Sequence, residues 1–295
     1  MEDGKGLFEN TVVLQVIWRK PGASRKGDLS LVETAADKDR LSLSKKVLAC
    51  DEYTAIGAVA SDFSRWLKRR ELDCAMFRAG RHLIPVETLP DVYERLDKAE
   101  ADYYTAVDAF VAVYPAIIER SKAELADQAR DEDYPAIESI RQAFGVERNV
   151  LDFAPPGTSK VGQVMSARAA KDFRDQVRAA IPDVIAGLRE AAKTVFSRLA
   201  EKLAPRADGK KSVLKDATIE AAREFLQLFG SRNVCNDREL ADVLAKAQAM
   251  LDGKTPDDLR GDGREFFAAK AAEITANLDA LVKAGPVRMF SFDEE

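Results

Sequence analysis

A chain of 295 residues that is 46% hydrophobic has material for a packed core and is too apolar for global disorder. Its formal net charge of -5 at pH 7 does not suit a bulk polyanion binder and leaves only local basic patches to consider. A charged fraction of 32% beside 7% aromatics predicts long helices with solvated faces.

The start, "MEDGKGLFEN", lacks the basic and apolar pattern of a signal peptide. No run approaches the ~20 apolar residues of a membrane span. Cys50, Cys74 and Cys235 are odd in number and far apart, which argues against a disulfide framework and for a reducing, cytoplasmic setting without membrane contact.

Residues 11–18, "TVVLQVIW", are β-branched and aromatic and predict a buried strand. After a loop, residues 41–49 alternate as a half-buried strand would; a short helix leading into the next segment is the alternative. Over 51–70, Ile56, Val59, Phe63, Trp66 and Leu67 recur at helical spacing, with Asp51 as N-cap. Gly80 marks a turn, "HLIPVE" is extended, and Pro85 and Pro90 forbid one continuous helix here. A long helix starts at Thr88, capped by it, with Pro90 and Asp91 in the first turn. Leu89, Val92, Leu96, Tyr103, Val107, Phe110, Tyr114, Ile117 and Leu125 form one stripe, a coiled-coil seam or bundle face, kinked at Pro115.

Residues 135–144 suit a short helix, and "VERNVLDFAPPG" reads as extended or looped. A second long helical region runs from about 159 to 204, through Val161, Met165, Phe173, Val177, Val184, Leu188, Val195, Leu199 and Leu203, with Pro182 kinking or splitting it. The two regions are of comparable length, which predicts an antiparallel hairpin with 130–157 as its tip. "PRADGKKS" at 205–212 reads as a boundary. Three helices follow at about 215–229, 237–252 and 256–284, started by Asn236 or Asp237 and by Thr255-Pro256-Asp257-Asp258.

The expected fold is therefore mostly α, in the α+β class. It comprises an N-terminal α+β base at 1–87, a long antiparallel helical hairpin or coiled coil at 88–204, a C-terminal helical subdomain at 205–285 and a tail at 286–295.

Arg65, Lys68, Arg69, Arg70, Arg78 and Arg81 lie within seventeen residues and are candidates for anion or nucleic-acid contact; a solvated helix end is the competing reading. His82, the only histidine, has no partner in a recognised local pattern, so no catalytic residue is assigned. "PPGTSKVG" lacks the order of a P-loop, and Asp257, Asp258 and Asp262 lack the remaining positions of an EF-hand. No cofactor or metal is expected. In the tail, Met289, Phe290, Phe292, Asp293, Glu294 and Glu295 combine alternating bulk with acidity and suit docking on a sheet edge or groove.

The tracts "SRWLKRR", "FRAGRHLIPVE", "YERLDKAEADYYTAVDAFVAVYPAIIER" and "FGVERNVLDFAPPG" together resemble a bacterial and phage family known only as domain of unknown function family 3150. Such proteins are often encoded near MoxR-type AAA+ ATPases and von Willebrand factor A-type proteins. The resemblance implies an ATPase-associated or phage-linked protein in the bacterial cytoplasm, or in the host's if phage-encoded, and no catalytic residue. The expected function is a non-enzymatic adaptor or scaffold, self-associating through the helical seam. The alternative is a nucleic-acid-associated protein of phage replication or defence that uses the 65–81 cluster.

Overall fold

The β-branched run near the N-terminus does form a strand, β1 (Thr11–Arg19), in which Val13 and Leu14 are completely buried. The structure, a computed structural model, describes residue 7 and residues 10–74, 80–151, 167–205 and 212–285; from 167 to 178 only the backbone and Asp175 are described. β1 is the central strand of a three-stranded sheet, between β4 (Arg81–Pro85) and β5 (Gly145–Leu151). A second, two-stranded sheet pairs β2 (Ser24–Lys26) with β3 (Ser44–Lys46) antiparallel, placing Arg25 opposite Lys45. The strand reading of 41–49 thus holds for three of its residues.

The chain divides into two compact units: residues 15–68 with 90–149, and residues 1–14 with 69–89 and 150–295. These limits differ from boundaries at 87 and 204, because each unit is assembled from separated stretches of chain.

The first unit contains α1 (Asp51–Lys68), most of α2 (Leu89–Leu125) and α3 (Ile137–Gln142). The thiol sulfur of Cys50 accepts from Tyr53 N–H at 3.3 Å, so Cys50 takes the capping role expected of Asp51, which becomes the first helical residue. Thr88 likewise does not cap α2. Its hydroxyl donates to Pro85 O at 2.9 Å and closes a 3-10 turn, Val86–Thr88, that leads into the helix. α2 runs unbroken through Pro115 for 37 residues.

The predicted stripe on α2 is its buried face. Tyr103, Val107, Phe110, Tyr114 and Ile117 join Val47, Leu48, Tyr53, Ile56, Ile140 and Phe144 in one core. The stripe is therefore covered from within the chain, by residues of α1 and α3 and of the segments that follow β3 and α3. A buried lysine fastens the β2–β3 sheet here. Lys45 Nζ donates to Gln128 O at 2.6 Å and lies 2.5 Å from Asp133 Oδ2.

The second unit is mainly helical: α4 (Ala167–Leu203), α5 (Asp216–Arg232), α6 (Arg238–Leu251), α7 (Pro256–Arg260) and α8 (Arg264–Ala284). α4 packs on α5 and α8, and α6 packs on the same two, so the four long helices close a ring. Their shared core includes Phe196, Leu199, Ile219, Leu240, Leu244 and Leu278. The 256–284 segment is two helices rather than one, broken at Gly261–Gly263. A Cβ on Gly261 would stand 3.2 Å from Asp257 O.

The helices α2 and α4 are each 37 residues long, as their sequence spans suggested, but the expected hairpin does not describe their cores. α4 shares its core with α5, α6 and α8 and is the fourth member of their bundle. Periodicity fixed which face of α4 is apolar. It carried no information about which helix would cover that face.

Two arginines set the direction of α8 against α4. At its start, Arg264 donates from Nε to Leu203 O at 2.9 Å and from Nη2 to Lys202 O at 2.6 Å, satisfying carbonyls that end α4. Near the other end, Arg189 of α4 donates from Nη1 to Leu281 O at 3.0 Å and to Gly285 O at 2.9 Å. The two helices therefore run antiparallel.

Arg189 also donates from Nε to Asp237 Oδ2 at 2.6 Å and from Nη2 to Asp237 Oδ1 at 3.0 Å and Glu239 Oε2 at 2.8 Å. All five N–H groups are used, and only 3% of the side chain is exposed. Arg189→Met leaves the Asp237 carboxylate buried without its cation and is expected to cost about 3 to 5 kcal/mol in urea unfolding. Arg189→Met with Asp237→Leu is expected to recover part of that loss; an unchanged deficit would show that the pair does not set it.

Candidate functional site

After α1 the chain turns at Arg69–Arg70 and runs beside β4, where Leu72 N–H donates to Leu83 O at 2.8 Å across an antiparallel bridge. Alternation about that bridge puts Leu72 and Leu83 in the core and Glu71, Asp73 and His82 on the other side. Gly80, with φ +77, makes the left-handed bend before β4 that other residues adopt only with strain. Gly80 is thus a turn and "RHLIP" a strand, as the sequence indicates.

The sequence-predicted cations fall in different places. Arg65 and Lys68 belong to the first unit, and Arg69, Arg70 and Arg81 to the second. Arg65 pairs with Asp62 one turn earlier in α1. Arg69 and Arg70 both reach Glu224 of α5, at 3.4 and 3.1 Å. Arg81 is exposed at the start of β4. Arg78 lies outside the described residues, as do the tail residues Met289, Phe290, Phe292, Asp293, Glu294 and Glu295.

Sequence reasoning gave His82 no carboxylate, but the structure supplies one, since its Nδ1 is hydrogen-bonded to Glu71. A carboxylate on one ring nitrogen fixes the tautomer and orientation of an imidazole. Beside this pair lies Arg232, which closes α5 with only 7% of its surface exposed. Its Nη2 donates to Glu71 O at 3.2 Å, its guanidinium stands 5.6 Å from the ring centre of Phe225, and its Nε is buried without a partner. Burial holds the Arg232 pKa below the ordinary arginine value, opposed by the charges of Asp73 and Glu71. Glu71, Glu224 and Arg232 were absent from the sequence-based site. The register that brings Glu71 to His82 depends on the Leu72–Leu83 bridge, and no local motif announces it.

Cys74 and Cys235 border the same region, both packed against a small cluster that includes Val13, Leu72, Leu83 and Val184. Burial pushes the Cys235 thiol up to about 12. Among the described residues no group of three or more His, Cys, Asp or Glu is placed to hold a metal ion. The arrangement is a polar fastening: a histidine–carboxylate pair and a buried arginine that bind the Arg70–Cys74 segment to α5 and β4.

Two measurements follow from these groups. Replacing Arg232 by Met removes a buried cation whose hydrogen bonding is incomplete, so stability is expected to stay within about 1 kcal/mol of the parent, in contrast to Arg189→Met. For Cys235, the folded pKa of about 12 lies above the ordinary value of 9.0, so its contribution is intact below pH 9 and is lost as pH rises toward 12. Cys235→Ala should flatten the fall in stability over that window; an unchanged slope would contradict the assignment. No family model, curated protein or solved structure matches the chain.

Proposed function

We propose that the protein is a non-enzymatic adaptor or scaffold that docks a protein partner along β5. The supporting observation is the state of that strand. It is one of the two outer strands of its sheet, and every residue from Glu147 to Leu151 is exposed, including Val150 and Leu151. An outer strand offers one row of main-chain N–H and C=O groups, a template for an added strand.

The charges on β5 are balanced from within the chain. Arg148 holds Asp97 at 2.6 Å and also pairs with Glu100, while Arg19 holds Glu147 at 3.0 Å. The edge therefore favours an extended, weakly charged segment with apolar residues at alternate positions. The resemblance noted from the sequence makes an AAA+ ATPase of the MoxR type the first partner to try. No described helix is long and apolar enough to cross a membrane.

The alternative, polyanion contact through Arg65, Lys68, Arg69, Arg70, Arg78 and Arg81, has weaker support. Asp62 and Glu224 already offset the charge of Arg65, Arg69 and Arg70. A gel shift that weakens steeply with salt and is lost on neutralising Arg69, Arg70 and Arg81 would restore it.

The docking reading is tested by capturing a MoxR-type ATPase on the immobilised chain and on Val150→Lys/Leu151→Lys. The charged edge is expected to reduce capture by about tenfold or more with little change in stability, since both positions are exposed. Equal capture by the two proteins, or no capture by either, would remove the support for this reading.

A further inference from the structure

We infer that Cys74 and Cys235 are a latent disulfide pair, which a hydroperoxide can close to join the Arg70–Cys74 segment covalently to the loop between α5 and α6. Both side chains pack against one small cluster, formed by Leu7, Val13, Leu72, Leu83, Ala180 and Val184. The third cysteine, Cys50, packs against the separate core of the other unit.

One hydrogen bond ties the two stretches at matching positions. Glu71 O accepts from Arg232 Nη2 at 3.2 Å, and three residues further along each stretch stand Cys74 and Cys235. The loop that carries Cys235 is held tightly. Asn233 Oδ1 accepts from Asp237 N–H at 2.7 Å, Asn233 O accepts from Asn236 N–H at 3.0 Å, and Asn236 adopts a left-handed φ of +55. The other stretch is held against α4, where a Cβ on Gly187 would stand 2.6 Å from Asp73 Cβ. Both thiols border the same small cluster on fastened backbone, and the charge of Cys74 acts on the Cys235 thiol, so each is held in the neighbourhood of the other.

The chemistry balances as follows. The Cys74 thiol loses its proton, and its sulfur attacks the nearer peroxide oxygen. The O–O bond breaks and the departing oxygen takes up that proton, leaving a sulfenic acid and an alcohol, or water from hydrogen peroxide. The Cys235 thiol then gives up its proton as its sulfur attacks Cys74 sulfur, and the S–O bond breaks with loss of water. In sum, two thiols and one hydroperoxide give one disulfide, one alcohol and one water. Burial holds the Cys235 thiol in its protonated form, which favours Cys74 as the first nucleophile. In a reducing compartment such a bond serves regulation rather than permanent structure.

The test oxidises the full chain with one equivalent of hydrogen peroxide, counts thiols in urea and maps peptides without reduction. The expected result is a fall from three thiols to one, a cross-linked peptide pair containing Cys74 and Cys235, and Cys50 left reduced. In Cys74→Ser, loss of the Cys235 thiol should slow about tenfold or more. Retention of all three thiols, a bond to Cys50, or linkage only between chains would overturn the pairing. Mapping of the unsubstituted protein decides the matter even where a variant does not fold.

Discussion

The helical unit is organised around one buried guanidinium. Arg189 comes from α4, but its acceptors come from elsewhere: both carboxylate oxygens of Asp237 and one of Glu239 at the start of α6, and the carbonyls of Leu281 and Gly285 at the end of α8. Apolar contacts among four amphipathic helices specify burial well and relative orientation poorly. A fork of five donors with fixed directions accepts very few arrangements. Hydrogen bonds to Asp237 and Glu239 raise the Arg189 pKa above its ordinary value, so the cation persists across the range in which proteins work. Its desolvation is costly, and only the full set of acceptors offsets that cost.

The same residues meet a second demand. Asp237 Oδ1, besides holding Arg189, accepts from Leu240 N–H at 3.1 Å and so caps α6. Gly285, with φ +70, ends α8 in a conformation that favours glycine, and its carbonyl is one of the two main-chain acceptors of Arg189. Arg264 and Lys45 repeat the pattern of a cation bonded to main-chain oxygens. Arg264 meets the last carbonyls of α4, and Lys45 meets Gln128 O shortly after α2. In each case a positive group sits where a chain segment leaves carbonyls without helical partners, and the interaction with the helix dipole is favourable.

What the sequence made legible follows from this division of labour. Long helices, their apolar stripes and some of their caps were readable because a period of 3.6 and capping chemistry are local properties. The Thr255–Asp258 capping box and the Asp237 cap stand where the residues indicated. Partnership between elements was not readable. Nothing near Leu188 or Leu199 says that they share a core with α8 rather than with α2. The break at Gly261–Gly263 was hidden by apolar residues that keep helical spacing on both sides. At the candidate site, the arginines were visible as a run of charge, whereas the acid that neutralises two of them, Glu224, lies 154 residues from Arg70.

Arg232 is the informative exception to the rule of saturated cations. Arg189 is also buried and uses every donor, whereas Arg232 leaves Nε without an acceptor. The segment it holds is nevertheless tied from several directions: Arg70 to Glu224 of α5, Leu72 to Leu83 of β4, and Asp73 against Gly187 of α4. A segment so constrained cannot shift without moving side chains on three elements at once. Any chemical change to it, whether at His82–Glu71 or at Cys74, is therefore passed to the bundle instead of being absorbed locally. At Arg232 a polar network, as well as the apolar core, joins the turn after α1 to the end of α5, and the incomplete bonding of its guanidinium offsets what the buried cation contributes there.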